Sequence, residues 1–522
     1  MKRSREDVGV SKEEYEASLT APDPSNASDG IPQAPPNILQ ARTLLTVPPT
    51  SRRHQASRHL MALNRVFVAT VQRQWEDNKN GPWNLNMKEY LWYAREIDAT
   101  FGDESGHVLT FGSGECGQLG HGVDEQDLMV PYPRVVSALQ GLSICRVACG
   151  GLHSVAIAVT GQVYTWGCND DGALGRDGDE NLPATVPGFG PQDAIAVQVG
   201  AGDCHTVVVT LSGTVYTWGC YRDKEGKQWC DATSAQAAFK QKQVQPFRMP
   251  TLEHVADVRC GSAFNLARTK DGRVYSWGLG EMGELGRNVD VALKDAMGEY
   301  KVDMVYTDHL HPALVMVGNE PLPFVKAIGC GAYHILVVSS ASGYLYTCGL
   351  NNYGQLGLGH TDNCTHLQLV DDLSTTNVAS ADGGAHHSVV LTLEGDVYTF
   401  GRADSGQLGV LDTCATGEFK DRPQKVVMLS SSPSGNPSPV VQVVSGSNHV
   451  LALTENKAIY SWGYGDMLAL GNGTERDETK PHALAWSKAT CSDGSTVGKA
   501  HILQLAAGGQ HSVILAKLSD KL

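Results

Sequence analysis

Two short motifs alternate along the chain, and their order at its two ends constrains the fold more than any other feature. The first motif is a strand that ends in glycine, and it occurs seven times, as VLTFG (108–112), VYTWG (163–167), VYTWG (215–219), VYSWG (274–278), LYTCG (345–349), VYTFG (397–401) and IYSWG (459–463). The second motif is Gly-x-x-His before an apolar run, and it occurs six times, as Gly150–His153, Gly202–His205, Gly331–His334, Gly384–His387, Gly446–His449 and Gly508–His511. Gly261-Ser262-Ala263-Phe264 fills a seventh slot, with phenylalanine in place of histidine.

The spacing of the two motifs predicts β-hairpins. The fourth residue of each Gly-x-x-His lies 11 or 12 positions before the aromatic residue of the next strand motif, which leaves room for two strands and a tight turn. The first strand motif has no Gly-x-x-His before it, and the last Gly-x-x-His, ending at His511, has no strand motif after it. Pairing the two ends would protect every blade edge, so we predict an all-β, seven-bladed β-propeller closed by its N- and C-terminal strands.

The segment before the repeats has a different composition. Residues 1–55 begin with a stretch rich in Pro, Ser and Ala, which is typical of a disordered segment. Residues 57–78 place apolar side chains at helical spacing, so residues 56–102 are predicted to form a helical extension. Such a helix would either pack on the propeller or bind a membrane or a partner. The propeller itself is predicted to span residues 103–522.

Composition excludes several classes of function. The net charge of −15 argues against general nucleic-acid binding, and no apolar run is long enough for a transmembrane helix. No apolar core follows the first basic residues, so we expect no secretory signal. The 13 cysteines include no Cys-x-x-Cys pair and recur at equivalent repeat positions. They are therefore predicted to be small core residues in a reducing compartment, and we expect neither a metal nor a cofactor.

The motifs carry a family resemblance. Repeats of about fifty residues with xYxWG, GQLG and Gly-x-x-His resemble those of the regulator of chromosome condensation family over about residues 106–517. The likeness is most specific in CNDDGALGRD (168–177), GAGDCHT (200–206), WGCYRDKEG (218–226) and GGQHSVILAK (508–517). The resemblance implies guanine-nucleotide exchange on the small GTPase Ran, which needs no covalent chemistry. It also implies a nuclear, chromatin-associated location, with the cytoplasm as second choice.

A few residues depart from what the repeat requires. Asp203 follows the motif glycine in a slot that is small in the other blades, and His386 directly precedes the repeated His387. The segment Tyr221–Gln228 (YRDKEGKQ) replaces the Leu-Gly anchor of equivalent loops with charged residues, so we expect it to project from its blade. For Asp203 the alternative is a side chain that only stabilises its own turn.

The resemblance assigns roles to these residues. It implies that the projecting loop is a wedge that enters the GTPase beside its nucleotide. It transfers a partner-facing set to this chain: Glu115, Asp203, Arg222, Asp223, Lys224, His386, Asp477 and His511. The family's Gly-Asn-Asp-His in the next blade is here Gly261-Ser262-Ala263-Phe264, without the carboxylate. That departure predicts slow exchange.

Other functions stay open at this stage. One alternative is a non-catalytic propeller that serves as a scaffold or adaptor, and a more distant one is a light sensor, although the GWRHT repeats of the plant UV-B photoreceptor are absent. The family resemblance also implies contact with histones or nucleosomal DNA. Two features argue against that contact: residues 1–60 are nearly neutral, and the insertion at 288–311 is acidic and contains no arginine.

Overall fold

The computed structural model describes residues 105–223, 226–230, 242–289, 307–322, 324–340, 342–411, 415–428 and 438–519. The predictions for residues 1–55 and 56–102 lie outside these ranges, as do Lys224 and most of the insertion at 288–311. Among the described residues, neither α-helix has the length or the hydrophobicity to cross a bilayer. The two helices are single turns, α1 (Glu125–Leu128) and α2 (Thr307–Leu310).

The described chain forms seven four-stranded antiparallel sheets, the blades, and two short ribbons. The first strands are β1 (His107–Ser113) and β2 (Met129–Val135). Blade 2 contains β3 (Ile144–Cys149), β4 (His153–Ala158), β5 (Val163–Gly167) and β6 (Ala184–Thr185). Blade 3 contains β7 (Ala196–Ala201), β8 (His205–Thr210), β9 (Val215–Gly219) and β12 (Gln243–Arg248), with the ribbon β10 (Tyr221–Arg222) and β11 (Gln228–Trp229) after β9. Blade 4 contains β13 (Val255–Cys260), β14 (Phe264–Thr269), β15 (Val274–Gly278) and β16 (Ala313–Leu314), followed by the ribbon β17 (Met316–Val317) and β18 (Glu320–Pro321).

The remaining blades repeat the same order. Blade 5 contains β19 (Val325–Cys330), β20 (His334–Ser339), β21 (Leu345–Gly349) and β22 (Cys364–Leu369). Blade 6 contains β23 (Val378–Gly383), β24 (His387–Thr392), β25 (Val397–Arg402) and β26 (Phe419–Val426). Blade 7 contains β27 (Val440–Ser445), β28 (His449–Thr454), β29 (Ile459–Gly463) and β30 (Glu478–Ala483). The last strands are β31 (Ala500–Ala507) and β32 (His511–Leu518).

Blade 1 joins the two ends of the repeat region and closes the ring. Its strand order is β2-β1-β32-β31, and β32 pairs with β1 in the register Val108↔Leu515 and Gly112↔His511. The predicted seven-bladed propeller, with its closure by N- and C-terminal strands, is confirmed. One apolar cluster fills each of the seven interfaces between neighbouring blades, so the core is a ring of equivalent interfaces.

The repeated histidines connect each blade to the next. His511 Nε2 lies 2.8 Å from the Ser154 hydroxyl, which itself donates to the Gln118 carbonyl at 2.9 Å. Because the hydroxyl proton is engaged, the ring must donate through Nε2, and burial lowers the pKa of His511 to about 3, which keeps the ring neutral. Corresponding ring contacts join His153 to Thr206, His205 to Asn265, His334 to Ser388, His387 to Ser445 and His449 to Ser512. These histidines thus have a structural function.

Each histidine also explains its motif glycine. A Cβ on Gly150 would lie 2.4 Å from Cε1 of His153, and one on Gly202 would lie 2.0 Å from the same atom of His205. The ring therefore occupies the space where a side chain would be. This packing accounts for the spacing Gly-x-x-His throughout the propeller.

Ring closure yields a first prediction. Removing residues 508–522 deletes β32, which exposes the edges of β1 and β31 and breaks the interface with blade 2. We expect the cooperative thermal unfolding transition of the full chain to be lost, as monitored by calorimetry and by near-UV circular dichroism. The control removes only residues 520–522. A truncated chain that kept the full-length transition would show that the ring does not depend on closure.

The buried histidines predict a pH dependence. Burial lowers the pKa of His153, His334, His387 and His511 from 6.5 to about 3, and that of His205 and His449 to about 4. Unfolded histidines take up protons below pH 6.5 whereas the folded ones do not, so stability is complete above pH 6.5 and falls as the pH decreases towards 4.

Each such histidine contributes at most about 1.4 kcal/mol per pH unit to the slope of unfolding free energy against pH. His449→Gln should reduce the slope between pH 6 and pH 4.5 by about that amount, as measured by urea unfolding at a series of pH values. The control is His482→Gln, because His482 is exposed. A slope that did not differ between His449→Gln and the wild type would contradict the neutral, buried state of His449.

Candidate functional site

The topology brings the departing residues to one face of the ring. In every blade the glycine that ends the strand motif pairs with the fourth residue of Gly-x-x-His, as in His205↔Gly219 and His387↔Gly401. The turn before each histidine and the loop after each strand motif therefore emerge at the same edge of the blade. Glu115, Asp203, Arg222, His386 and Asp477 all lie at this edge.

A central channel of about 320 Å³ opens at this face. Its mouth is formed by the residue after each motif glycine, namely Gly151, Asp203, Ser262, Ala332, Ala385, Ser447 and Gly509. Backbone N–H groups here donate across all seven blade interfaces, with N···O distances of 2.8–3.1 Å, as in Asp203 N to Ser262 O and Ala385 N to Ser447 O. The small residues allow the strands to approach closely, and Asp203 is the only charged member of the mouth.

Asp203 contacts the neighbouring blade. The Ser262 hydroxyl donates to its carboxylate, and Ser262 also hydrogen-bonds the Tyr333 side chain of the following blade. Desolvation at the mouth raises the pKa of Asp203, and the Ser262 bond opposes that rise. Asp203 therefore does more than stabilise its own turn, because it begins a polar chain across blades 3, 4 and 5.

An aromatic group continues this chain into blade 6. The Tyr333 ring stacks on His386 with centroids 6.0 Å apart, and the Tyr353 ring lies 5.1 Å from the same histidine. Burial lowers the pKa of His386, and the nearby Arg402 lowers it further. Arg402 lies over the Tyr353 ring at 5.4 Å. We call Asp203, Ser262, Tyr333, His386, Tyr353 and Arg402 the mouth arc.

The other residues expected to face a partner differ in how exposed they are. Glu115 is exposed, and Asp477 is exposed while it accepts a 2.9 Å hydrogen bond from the Gly465 N–H. His511 is fully buried and bonded to Ser154, so the structure places its side chain in a blade interface, and its role in partner binding stays a prediction. Lys224 lies outside the described residues.

The loop of blade 3 is a hairpin, Tyr221–Trp229, made by β10 and β11. The expectation that it has no apolar anchor is wrong, because Tyr221 and Trp229 are each only 2% exposed and pack in the cluster between blades 3 and 4. The Tyr221 hydroxyl accepts a 2.8 Å bond from the Asn265 amide. Asp223 accepts bonds from the Trp229 indole and the Lys227 backbone, both at 2.8 Å. We call this unit the blade 3 hairpin.

Arg222 extends from the hairpin to blade 2. Its Nε and Nη2 atoms bond the two carboxylate oxygens of Asp171 at 2.8 and 2.6 Å. The arginine side chain is 46% exposed, whereas that of Asp171 is 9% exposed. The bonds with Asp171 raise the pKa of Arg222. A charge that sequence reasoning assigned to a partner is therefore already paired within the chain.

Comparison with known proteins assigns the chain to a family. The model of the RCC1-like domain matches residues 107–514. The chain belongs to this family. The human protein named Regulator of chromosome condensation is 33% identical over 419 residues, which cover 79% of this chain and 91% of the human protein. The Ultraviolet-B receptor UVR8 of Arabidopsis thaliana is also 33% identical, over 382 residues that cover 72% of this chain and 77% of the receptor.

A solved structure gives the same fold. The crystal structure of Prp20p from Saccharomyces cerevisiae, described together with its binding properties to Gsp1p and histones, has a TM-score of 0.67 and 25% sequence identity. The match covers 80% of this chain and 93% of Prp20p. Because two relatives with different names are equally similar in sequence, the site of this RCC1-like chain must be interpreted from its own residues.

The departure at Phe264 is compensated in the next blade. Elsewhere the histidine bonds a polar group of the following blade, and in five blades that group directly follows the next motif's fourth residue. Phe264 would face Ile335 in this scheme, and both side chains are buried in the cluster between blades 4 and 5. Apolar packing therefore takes the place of a histidine–hydroxyl bond at this interface.

This compensation can be tested in a double-mutant cycle. Phe264→His alone would bury an imidazole against Ile335 and should cost about 2 kcal/mol of unfolding free energy. Adding Ile335→Ser supplies the missing hydroxyl, so the double variant should be more stable than the sum of the single effects by more than about 0.5 kcal/mol, as measured by urea unfolding. Phe264→Leu with Ile335→Ser is the control, and it should lack this favourable coupling. Additive effects in the histidine cycle would refute the pairing.

Several site residues were missed from the sequence. Tyr333 occupies the same motif position as His386, one blade earlier, so two bulky rings at that position in successive blades were a usable pattern. Asp171 gave no such indication, since it lies within a repeated loop 51 residues before Arg222.

Proposed function

We propose that this RCC1-like chain is a guanine-nucleotide exchange factor for the small GTPase Ran. The observation that carries the proposal is the blade 3 hairpin, which bears Arg222, Asp223 and Lys227, is bonded internally and lies at the same edge of the blades as Asp203. The family resemblance supports this role, and the binding of Prp20p to Gsp1p supports a GTPase partner. The nuclear, chromatin-associated location and the contact with histones are proposed on the same basis.

The mechanism needs no covalent step. The hairpin and the carboxylates of the face bind the GTPase better without nucleotide than with it. By linkage, the chain must then weaken the GTPase's affinity for nucleotide by the same factor. The more abundant nucleotide in solution fills the emptied site. The chain's own residues supply shape and charge, and the nucleotide binds only to the GTPase.

The charge of the face fits a basic partner surface. Glu115 and Asp477 are exposed, and Asp203 lies at the channel mouth. Carboxylates on the same face as the hairpin attract a cationic surface and orient it before contact. The mouth arc adds aromatic rings, which contribute binding energy at low entropic cost.

The alternative function is a scaffold or adaptor that binds a partner without exchange. It is favoured by Ala263, which has no carboxylate where the family places one. The mouth arc and the hairpin would bind a partner in either case. Binding and nucleotide release must therefore be measured separately.

The decisive experiment compares wild type, Asp203→Asn and Glu394→Gln. Glu394 is exposed in the turn between β24 and β25, at the opposite edge of its blade, so it controls for loss of one carboxylate. We expect the wild type to accelerate release of fluorescent GDP from purified Ran, and Asp203→Asn to weaken binding of nucleotide-free Ran by at least about tenfold, or about 1.4 kcal/mol. Glu394→Gln should behave as wild type, and all three proteins should have similar stability.

The outcomes separate the two functions. A wild-type protein that binds Ran without accelerating release is a scaffold. A wild-type protein that does not bind Ran at all would exclude Ran as the partner, both for exchange and for scaffold binding. Equal binding by wild type and Asp203→Asn would show that the channel mouth is not part of the interface with Ran.

A further inference from the structure

We propose that Asp171 of blade 2 is a positioning residue for nucleotide exchange, because it holds the blade 3 hairpin in the orientation that a GTPase meets. The kinetic consequence rests on the proposed function, whereas the orientation of the hairpin does not. Asp171 was not among the residues expected from the sequence, and its carboxylate contacts no partner itself. It acts through Arg222 and Gln228.

The geometry concentrates the hairpin's polar contacts on one carboxylate. Arg222 and Asp171 form a bidentate pair, which fixes both the distance between the two side chains and the plane of the guanidinium group. Gln228 Nε2, from the opposite strand of the hairpin, donates to Oδ1 of the same residue at 2.5 Å. Arg222 and Gln228 are paired residues on β10 and β11, so Asp171 binds both strands of the hairpin at the same position along their length.

Burial distinguishes this contact from an ordinary surface ion pair. Asp171 is 7% exposed, and the thiol of Cys204 also donates to it. Burial disfavours the carboxylate, yet the bonds from Arg222, Cys204 and Gln228 outweigh that effect and lower the pKa of Asp171. Burial, together with the neighbouring Asp171, raises the pKa of the Cys220 thiol to about 12, so this thiol stays protonated at the base of the hairpin.

The hairpin needs this contact because it lacks the usual one. The loop after the strand motif normally accepts the indole N–H of the next blade's tryptophan, as Gln118 O accepts from Trp166 and Ala173 O from Trp218 at 2.9 and 2.7 Å. The corresponding Nε1 of Trp277 has no hydrogen-bond partner among the described residues. The polar connection on the blade 4 side is instead the bond from Asn265 to Tyr221. Asp171 supplies the connection on the blade 2 side.

The consequence is preorganisation. A hairpin held from both neighbouring blades loses little further conformational entropy when a partner binds. If its position is displaced by about 1 Å, an interaction that must form during nucleotide release can weaken about a hundredfold. Loss of the Asp171 contact should therefore reduce the exchange rate more than the affinity for the nucleotide-bound GTPase.

The test compares Asp171→Asn with Asp170→Asn, the same chemical change at an exposed neighbour in the same loop. Hydrogen–deuterium exchange of peptides covering 221–230, measured on the full chain without any GTPase, should be at least about tenfold faster in Asp171→Asn and unchanged in Asp170→Asn. Release of fluorescent GDP from Ran by Asp171→Asn should show kcat reduced about tenfold or more with KM changed less than about threefold.

Two further variants separate positioning from general destabilisation. Asp171→Glu keeps the charge and should restore much of the rate, whereas a residue needed only for packing would not be rescued. Arg222→Gln should lose rate as Asp171→Asn does, and the double variant should be no slower than either single variant, because both remove the same contact.

Three results would contradict the positioning role of Asp171 or the proposed function. Unchanged amide exchange at 221–230 in Asp171→Asn would overturn the positioning role, whatever the kinetics. Equal loss in Asp170→Asn and Asp171→Asn would assign the effect to local charge and also overturn it. A wild-type protein that never releases nucleotide would defeat the proposed function, while the amide-exchange result would still stand.

Discussion

The bonds between neighbouring blades are the interactions on which the rest of the structure depends. A blade of four strands cannot bury its own faces, so each relies on the next, and the last relies on the first through β1 and β32. Two layers of hydrogen bonds connect the blades, one through the buried histidines at six of the seven interfaces and one through the backbone at the channel mouth. Closure converts local contacts into a single cooperative unit.

The proposed functional face is built where this regularity is broken. Small residues are required at the mouth because the strands converge there, and Asp203 is tolerated since its carboxylate reaches Ser262. The blade 3 hairpin replaces a loop that elsewhere holds the next tryptophan, and Trp277 is left without its bond among the described residues. Buried aromatic side chains, Tyr221 and Trp229, and the bridge to Asp171 compensate for that loss.

Much of the fold could be predicted because the repeat is periodic. Strand order and ring closure follow from which motif each end of the chain lacks, and every hairpin follows from one spacing. The repeat also explains the burial of His511, since a residue that recurs in six blades serves the blades. The anchoring of the hairpin was not predicted, because Tyr221 and Trp229 flank a charged stretch and their burial depends on a cluster formed with blade 4. Asp171 could not be predicted either, as its contact with Arg222 crosses a blade interface.

We propose that the mouth arc and the blade 3 hairpin together form the face that meets the GTPase. The most direct measurement is the hydrogen–deuterium exchange footprint of nucleotide-free Ran on the full chain. We expect protection at 200–206, at 221–230 and around Tyr333 and His386, with no change in the turns at the opposite edge of the blades, such as 393–396. Protection confined to those opposite turns, with the hairpin unprotected, would contradict it.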